Sequence, residues 1–276
     1  MTYPLAYSTL GSPDWTFAHT VEQAAANGYQ ALEVRVYNGE IIPPTLPAAE
    51  IAQIRATLEA HNVGIVALGL STRFNAPDAA TRRQNVDDLR QYIALADALD
   101  CPMVRTFGGE PQPGSSLDEV VTWVAEALNE CAPWAEQHGI GILLETHDAF
   151  ARSEIVARAL AQIPSTSVGA VWDVHHPYRM GETIDQVWAN IGPRVKHIHM
   201  KDATQRPDGT WQLVPMGEGE VPCRAILARL YAEDYAGAIS AEWEKKWHPE
   251  IAEPEVAMPQ HAQVLRQWMA EIEKSG

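Results

Sequence analysis

The chain has 276 residues, 46% of them hydrophobic, which is enough to bury one large core. Asp and Glu total 36 against 20 for Lys and Arg, and the net charge of -16 repels phosphate backbones and anionic membrane surfaces. Neither nucleic acid nor a membrane is therefore expected as a partner. The three cysteines lack paired spacing, and the sequence shows no basic leader or long apolar run, so we expect a cytoplasmic protein without a disulfide framework.

Short β-rich apolar runs alternate with amphipathic helical stretches along the chain, a pattern typical of repeated βα units. The predicted strands are 5–9, 31–37, 64–71, 103–107, 141–146, 168–174, 195–199 and 238–243. The predicted helices are 15–27, 48–61, 79–98, 117–138, 153–163, 183–191, 223–232 and 258–274. A strand followed by a helix, eight times over, matches the usual size of a (β/α)8 barrel.

The expected fold is α/β, a single (β/α)8 TIM barrel domain over residues 1–276, with functional groups at the C-terminal ends of the strands. The alternative is an open doubly wound sheet, which normally carries a glycine-rich phosphate loop after its first strand. The first turn reads TLGSP at 9–13 and matches neither the GxGxxG nor the GxxxxGKS pattern. The barrel is therefore favoured.

Four late strands end in side chains that can bind a metal, namely Glu145, Asp173, His199 and Glu242. In a barrel, the C-terminal ends of strands five to eight lie on one side of a single mouth, so these groups should converge. Taken singly, Asp173 could be a helix N-cap and Glu242 part of a solvated charge run. Three carboxylates and one imidazole suit Mn²⁺, Mg²⁺ or Co²⁺ better than structural zinc.

These motifs resemble those of the xylose-isomerase-like barrels, in particular the sugar phosphate isomerase/epimerase branch that includes ketose 3-epimerases and inosose isomerases and dehydratases. The matching features are Glu145, an Asp-x-x-His at Asp173 and His176, a His-x-His-x-Lys-Asp at 197–202, and Glu242. The resemblance implies that Glu145, Asp173, His199 and Glu242 hold a divalent metal, first of all Mn²⁺, with Mg²⁺, Co²⁺ or Zn²⁺ as alternatives. It also implies that His176 faces substrate oxygens and that the chain forms a homo-oligomer.

Two further side chains near the predicted mouth are candidates for substrate binding. Lys201 is expected to hold a substrate oxygen or to stabilise an enolate, and the alternative is an ion pair with Asp202 or another acid. His147 either contacts substrate or lies in solvent. The polar, glycine-rich segment 205–222 is either a lid or a plain surface loop.

Charged residues on the early strands allow two interpretations. Glu33, Arg35 and Arg105 either face the pocket, where Arg105 would bind substrate, or form a buried ion pair at the barrel floor, which we favour. His197 has the strand parity of His199 and should lie one layer deeper, as support for the site or as a core histidine.

The expected reaction is isomerisation or epimerisation of a small sugar or keto-polyol through an enediolate, and the resemblance implies that Glu145 and Glu242 move the proton. The alternative is a dehydratase or β-eliminating lyase acting on a keto-sugar, inosose or 3-keto-glycoside, with His176 or Lys201 assisting the leaving group. An abasic-site endonuclease and a non-catalytic sugar-binding barrel are further alternatives, and the charge argues against the first. An unphosphorylated substrate is favoured, because only Lys201, Lys245 and Lys246 are candidate phosphate-binding cations near the mouth.

Overall fold

A computed structural model describes residues 3–275 and contains a closed barrel of parallel strands in which neighbours in sequence are neighbours in space. The barrel strands are β1 Leu5–Ser8, β2 Ala31–Val34, β3 Gly64–Arg73, β4 Met103–Phe107, β5 Gly141–Glu145, β6 Val168–Asp173, β7 Val195–Met200 and β8 Ile239–Ala241. Strand β8 pairs with β1 and closes the barrel. The predicted (β/α)8 fold is confirmed.

Helices follow the strands and cover the outside of the barrel. They are α1 Phe17–Ala26, α2 Ala48–His61, α3 Ala79–Ala98, α4 Leu117–His138, α5 Ser153–Leu160, α6 His175–Arg179, α7 Ile184–Ile191, α8 Cys223–Ala232 and α9 Pro254–Ser275. Helix α4 begins at a capping box formed by Ser116 and Glu119 and ends at Gly139, whose φ of 68° is favourable for glycine. Within residues 3–275 no helix is both long and apolar enough to span a membrane.

The predicted strand 31–37 is shorter in the structure. The backbone N–H groups of Arg35 and Val36 both donate to the Thr9 hydroxyl, at 2.9 and 2.8 Å, instead of continuing the ladder with β3. The chain then forms a small hairpin of Val36–Tyr37 and Glu40–Ile41. Arg35 is thereby placed at the barrel mouth, immediately after the end of β2.

The segment 205–222 is not a plain surface loop, because its first half belongs to a second hairpin. Asp202–Gln205 pairs with Trp211–Val214 in antiparallel register. The Asp202 carboxylate accepts backbone N–H bonds from Ala203, Gly217, Gly219 and Val221, which fixes the returning chain against the end of β7. Asp202 is therefore occupied in shaping this loop.

The register of the late strands places their polar ends at one level. Asp173 on β6 pairs with His199 on β7, and His199 in turn pairs with Ser240 on β8, two residues before Glu242. Because residues two apart on a strand face the same side, the side chains at these strand ends point into the barrel together.

Candidate metal centre and substrate pocket

The side chains of Glu145, Asp173, His199 and Glu242 meet at the C-terminal end of the barrel. One ligand atom from each lies within 4.8 Å of the other three, and all four residues are buried. His199 Nδ1 is 3.4 Å from Glu145 Oε1, 3.3 Å from Glu242 Oε1 and 3.9 Å from Asp173 Oδ2. The structure thus brings together the four side chains that the sequence placed on separate strands.

The chemistry of this donor set fits a divalent cation. Within the described part of the chain, His199 Nδ1 is buried and forms no hydrogen bond of acceptable geometry, although carboxylate oxygens surround it. A buried polar atom without a partner is costly, and three carboxylates packed around it repel each other. Burial, together with Asp173 and Glu244, raises the pKa of Glu242 to about 7 despite the opposing effect of His199 and Lys201. A cation among these atoms would satisfy Nδ1 and remove the repulsion.

The Asp173 carboxylate has two roles in the structure. Its Oδ1 accepts the backbone N–H groups of His175 and His176, at 3.0 and 3.4 Å, and so binds the start of the short helix α6 from the residue before the N-cap, Val174. Its Oδ2 faces His199 and Lys201 in the cluster. The helix-cap and the ligand interpretations of Asp173 are therefore compatible, because the two oxygens point in different directions.

Glu33 lies beneath the cluster and contacts both histidines of β7. Its carboxylate oxygens are 3.0 Å from Nε2 of His197 and 3.0 Å from Nε2 of His199. Although burial opposes the charge of Glu33, the two histidines hold the pKa of its carboxyl well below the usual value. An ionised carboxylate only accepts, so Nε2 of His199 carries the proton, and Nδ1 is the nitrogen available to the cluster.

The predicted floor ion pair among Glu33, Arg35 and Arg105 is wrong. Glu33 is occupied by the two histidines, and Arg105 Nε instead lies 3.0 Å from Glu145 Oε2, with both side chains 2% exposed. Arg35 forms no ion pair with any residue in 3–275. The reason is depth: Glu33 lies at the level of His197 and His199 inside the barrel, whereas both arginines lie at the mouth.

Lys201 is enclosed by acids. Its Nζ is 2.7 Å from Asp173 Oδ2 and 2.8 Å from Glu242 Oε2, and it also contacts Glu244. Burial opposes the charge, but Asp173, Glu242 and Glu244 together raise the pKa of Lys201 well above its usual value. Of the two partners considered from the sequence, the ammonium pairs with other acids and not with Asp202.

A cavity of about 290 Å³ lies directly above the cluster. Its lining contains acids, cations and apolar or aromatic groups: Glu145, Glu242 and Glu244; Arg35, Arg73, Arg105 and Lys201; Leu10, Phe107, His147 and Trp247. Six side chains were predicted to contact substrate or move its proton, and the four on strands four, five, seven and eight line this space: Glu145, Glu242, Lys201 and Arg105. His147, from the loop after β5, lines it as well.

His176 does not line this cavity. It is buried beneath His147, with the ring centroids 4.5 Å apart, and its Nε2 is 3.5 Å from Asp173 Oδ2. Burial and the nearby Lys201 lower the pKa of His176 well below its usual value, so the ring is neutral. The structure thus places His176 against the cluster and leaves His147 as the ring that faces the cavity.

A family model described as "Xylose isomerase-like TIM barrel" matches residues 21–268. The chain belongs to this family. It is 24% identical over 246 residues to the fructoselysine 3-epimerase of Shigella flexneri, covering 85% of this chain and 87% of that protein. It is 22% identical over 236 residues to the inosose isomerase of Bacillus velezensis, covering 80% and 81%. A solved D-tagatose 3-epimerase-like protein superimposes with a TM-score of 0.79 at 21% identity, over 99% of each chain.

In this xylose isomerase-like barrel, the side of the cavity opposite Glu242 is cationic. Arg35 Nη1 donates to the Gly69 carbonyl and Arg105 Nη1 to the Leu70 carbonyl, both at 3.1 Å. Gly69 makes room for the pair, since a Cβ there would lie 2.8 Å from Arg105 Nη2 and 3.1 Å from Arg35 Cδ. Of the two interpretations of Arg35, facing the pocket and a buried ion pair, the structure bears out the first, and Arg73 was not predicted to lie there. The signal in the sequence that could have indicated this cluster was Gly69, which lies on the strand between β2 and β4, the strands that lead to Arg35 and carry Arg105.

The lysines expected to supply cations near the mouth are engaged elsewhere. Lys245 Nζ donates to the carbonyls of Pro249 and Ile251 and pairs with Glu253, all at 2.7 Å. Lys246 Nζ donates to the Gly39 carbonyl at 2.7 Å. Within the described residues, the cations that line the cavity are three arginines and Lys201. The expectation of an unphosphorylated substrate counted lysines alone as phosphate-binding cations, and this count is wrong.

Proposed function

We propose that this xylose isomerase-like barrel is a divalent-metal-dependent isomerase or epimerase of a small sugar or keto-polyol. The observation that carries the proposal is the set of four ligand atoms within 4.8 Å of one another at the base of a 290 Å³ cavity, with two of the four residues also lining that cavity. The names of the relatives, fructoselysine 3-epimerase and inosose isomerase, support the same reaction class.

Glu145, Asp173, His199 and Glu242 would hold the ion, with Mn²⁺ as our first choice because the donors are mainly oxygen. Bound there, the metal would act as a Lewis acid that polarises the substrate carbonyl and stabilises negative charge on its oxygen. Glu33 holds the His199 ring so that Nδ1 faces the centre. The fold itself thus places the four candidate ligands together and fixes the orientation of the His199 ring.

Proton transfer is assigned to Glu145 and Glu242, the two acids of the cluster that line the cavity. One carboxylate removes the proton next to the carbonyl and becomes a carboxylic acid, and the other, already protonated, donates its own proton to the opposite face; delivery of a proton to the neighbouring carbon instead also requires a proton to pass between the two substrate oxygens. Arg105 lies 3.0 Å from Glu145 and, acting against burial, lowers the pKa of that carboxyl, so Glu145 is ionised and able to accept a proton. Return to the opposite face gives an epimer, and return to the adjacent carbon gives an isomer.

Elimination is a second candidate, favoured by the position of Lys201. Its ammonium lines the cavity 2.8 Å from Glu242 and is a donor that can protonate a departing hydroxyl or glycosidic oxygen. The same first step, removal of the proton next to the carbonyl, serves both reactions. Only the fate of the enediolate differs, so the products decide between them.

The test is turnover of free ketoses, inososes and 3-keto-glycosides in D₂O by the protein after chelation and after addition of Mn²⁺, followed by NMR. We expect deuterium incorporation and an epimeric or isomeric product only with metal present. Glu145→Gln should abolish both, whereas Glu59→Gln, on the exposed face of α2, should not. Loss of water or of a glycosidic group would assign the enzyme to the lyases, and metal-independent exchange would overturn the proposal.

A further inference from the structure

The cavity contains a buried cation that has no acidic partner. Arg35 is 7% exposed, lines the cavity and forms no ion pair within residues 3–275; its one hydrogen bond of the guanidinium is to a backbone carbonyl. A buried charge is costly unless it is paired. Arg105 next to it is paired with Glu145, Arg73 with Asp148 and Lys201 with three acids, so these three charges are already compensated.

The surroundings of Arg35 increase this imbalance. Burial and then the neighbouring Arg105 lower the pKa of Arg35 to about 9, although Tyr92 and Glu145 act in the opposite direction. Phe107 lies under both other guanidinium groups, with Arg105 Cζ 4.2 Å and Arg73 Cζ 5.1 Å from its ring centroid. Two arginines thus lie on one ring, and Arg35 adjoins Arg105 across Gly69, so three guanidinium groups line the same cavity, an arrangement suited to a planar or tetrahedral anion.

Resting on the proposed function, we propose that the substrate of this site is an acid: a sugar-like compound whose anionic group, a carboxylate or a phosphate, binds Arg35 with Arg73 and Arg105. The carbonyl end of the same molecule would lie at Glu145 and Glu242, since Arg105 touches Glu145 directly and adjoins Arg35 across Gly69. A cavity of 290 Å³ is at the lower limit of roughly 300–1,000 Å³ for ligand pockets, which restricts the compound to monosaccharide size.

The anion compensates the charge that the chain leaves unpaired. Arg35 then gains charge-assisted hydrogen bonds, and its repulsion with Arg105 is reduced because both face a negative group. A neutral sugar provides hydroxyl acceptors but no charge, so it leaves the imbalance in place. Acidic and neutral compounds of the same carbon skeleton should therefore differ clearly in affinity.

The test uses three ligands that differ only at one terminal carbon: D-fructose, D-fructuronate and D-fructose 6-phosphate. Their dissociation constants are measured by calorimetry at constant ionic strength on the protein with Mg²⁺. We expect at least one anion to bind roughly ten- to hundredfold more tightly than fructose. Tighter binding of fructuronate identifies a carboxylate as the group, and tighter binding of the phosphate ester identifies a phosphate.

Arg35→Met should remove this preference, and Arg35→Lys should retain part of it. Arg224→Met is the matched control, because Arg224 pairs with Glu271 on the outer surface. The apo Arg35→Met protein should unfold at the same or a higher temperature, since the variant removes an unpaired buried charge. If Arg35→Met does not fold, Arg73→Met, whose side chain is 47% exposed, takes its place with a smaller expected loss of about two- to tenfold.

Equal binding of the three ligands, binding of fructose alone, or a preference unchanged in Arg35→Met would overturn the acid assignment, and so would failure of both anions to bind. These outcomes are separable from failure of the proposed reaction, because calorimetry requires no turnover. Tight anion binding without metal-dependent deuterium exchange would leave the acid site standing and remove the isomerase. Exchange on neutral ketoses with no effect of Arg35→Met would do the reverse.

Discussion

Strands β5 to β8 deliver three carboxylates and an imidazole to one half of the barrel mouth, whereas β2 to β4 deliver three arginines to the other. In the late half the side chains contact each other, and every carboxylate has a histidine, Lys201 or Arg105 within 4 Å. In the early half, Arg105 is paired with Glu145 and Arg73 with Asp148, whereas Arg35 is held by a backbone carbonyl. Within residues 3–275, the late half thus compensates its charges internally, whereas the early half contains one arginine, Arg35, without an acidic partner.

The largest expected effect lies in the late half. Glu145→Gln and Glu242→Gln each keep the volume of the side chain and remove a carboxylate that lines the cavity. We expect kcat on the identified substrate to fall by about 10³-fold in each variant, within the range for loss of a general acid or base. Glu59→Gln is the control. A loss below about tenfold in either variant, with circular dichroism unchanged, would contradict the assignment of that residue to proton transfer.

Glu33 tests how far the late half depends on support from below. Glu33→Gln leaves an amide that accepts from one histidine and presents N–H groups to the other, so the His199 ring is no longer held in one orientation. We expect the affinity for Mn²⁺, measured by calorimetry, to fall roughly 10- to 100-fold. As a positioning residue, Glu33 acts through His199, so kcat should recover at saturating metal. A lower kcat with unchanged metal affinity would assign Glu33 a different role.

The convergence of the late half could be predicted from the sequence because barrel topology decides it. Each of Glu145, Asp173, His199 and Glu242 lies at or next to the C-terminal end of a strand, and parallel strands in sequence order bring these ends together whatever the details of packing. The two interpretations of Asp173, helix cap and metal ligand, did not exclude each other, because one carboxylate oxygen faces the N–H groups of α6 and the other faces the cluster. The acidic partners of Lys201 could not be identified from the sequence, because Asp173 and Glu242 come from other parts of the barrel and only Asp202 is its sequence neighbour.

The early half could not be predicted in the same way, because the partner of a buried charge depends on its depth in the barrel. Glu33 and Arg35 have the same strand parity, yet Glu33 faces the histidines of β7 and Arg35 faces the cavity. The end of β2 is fixed by the Thr9 hydroxyl, a contact between distant parts of the chain. Sequence spacing contains no information on either contact, and an ion pair was the simplest inference available.

The smallest expected effect concerns a residue that belongs to neither charged half. Trp247 follows β8, lines the cavity and is 50% exposed, so its ring is available to stack on a sugar without contacting the acidic cluster. We expect Trp247→Ala to raise KM by about two- to tenfold, the range for loss of one aromatic contact, and to leave kcat unchanged. Trp134→Ala is the matched control, since Trp134 is 40% exposed on α4 and stacks on His138 outside the barrel. A fall in kcat without a change in KM would mean that Trp247 positions the reacting groups, and the proposed division of the mouth into an acidic half that reacts and a cationic half that binds would then be incomplete.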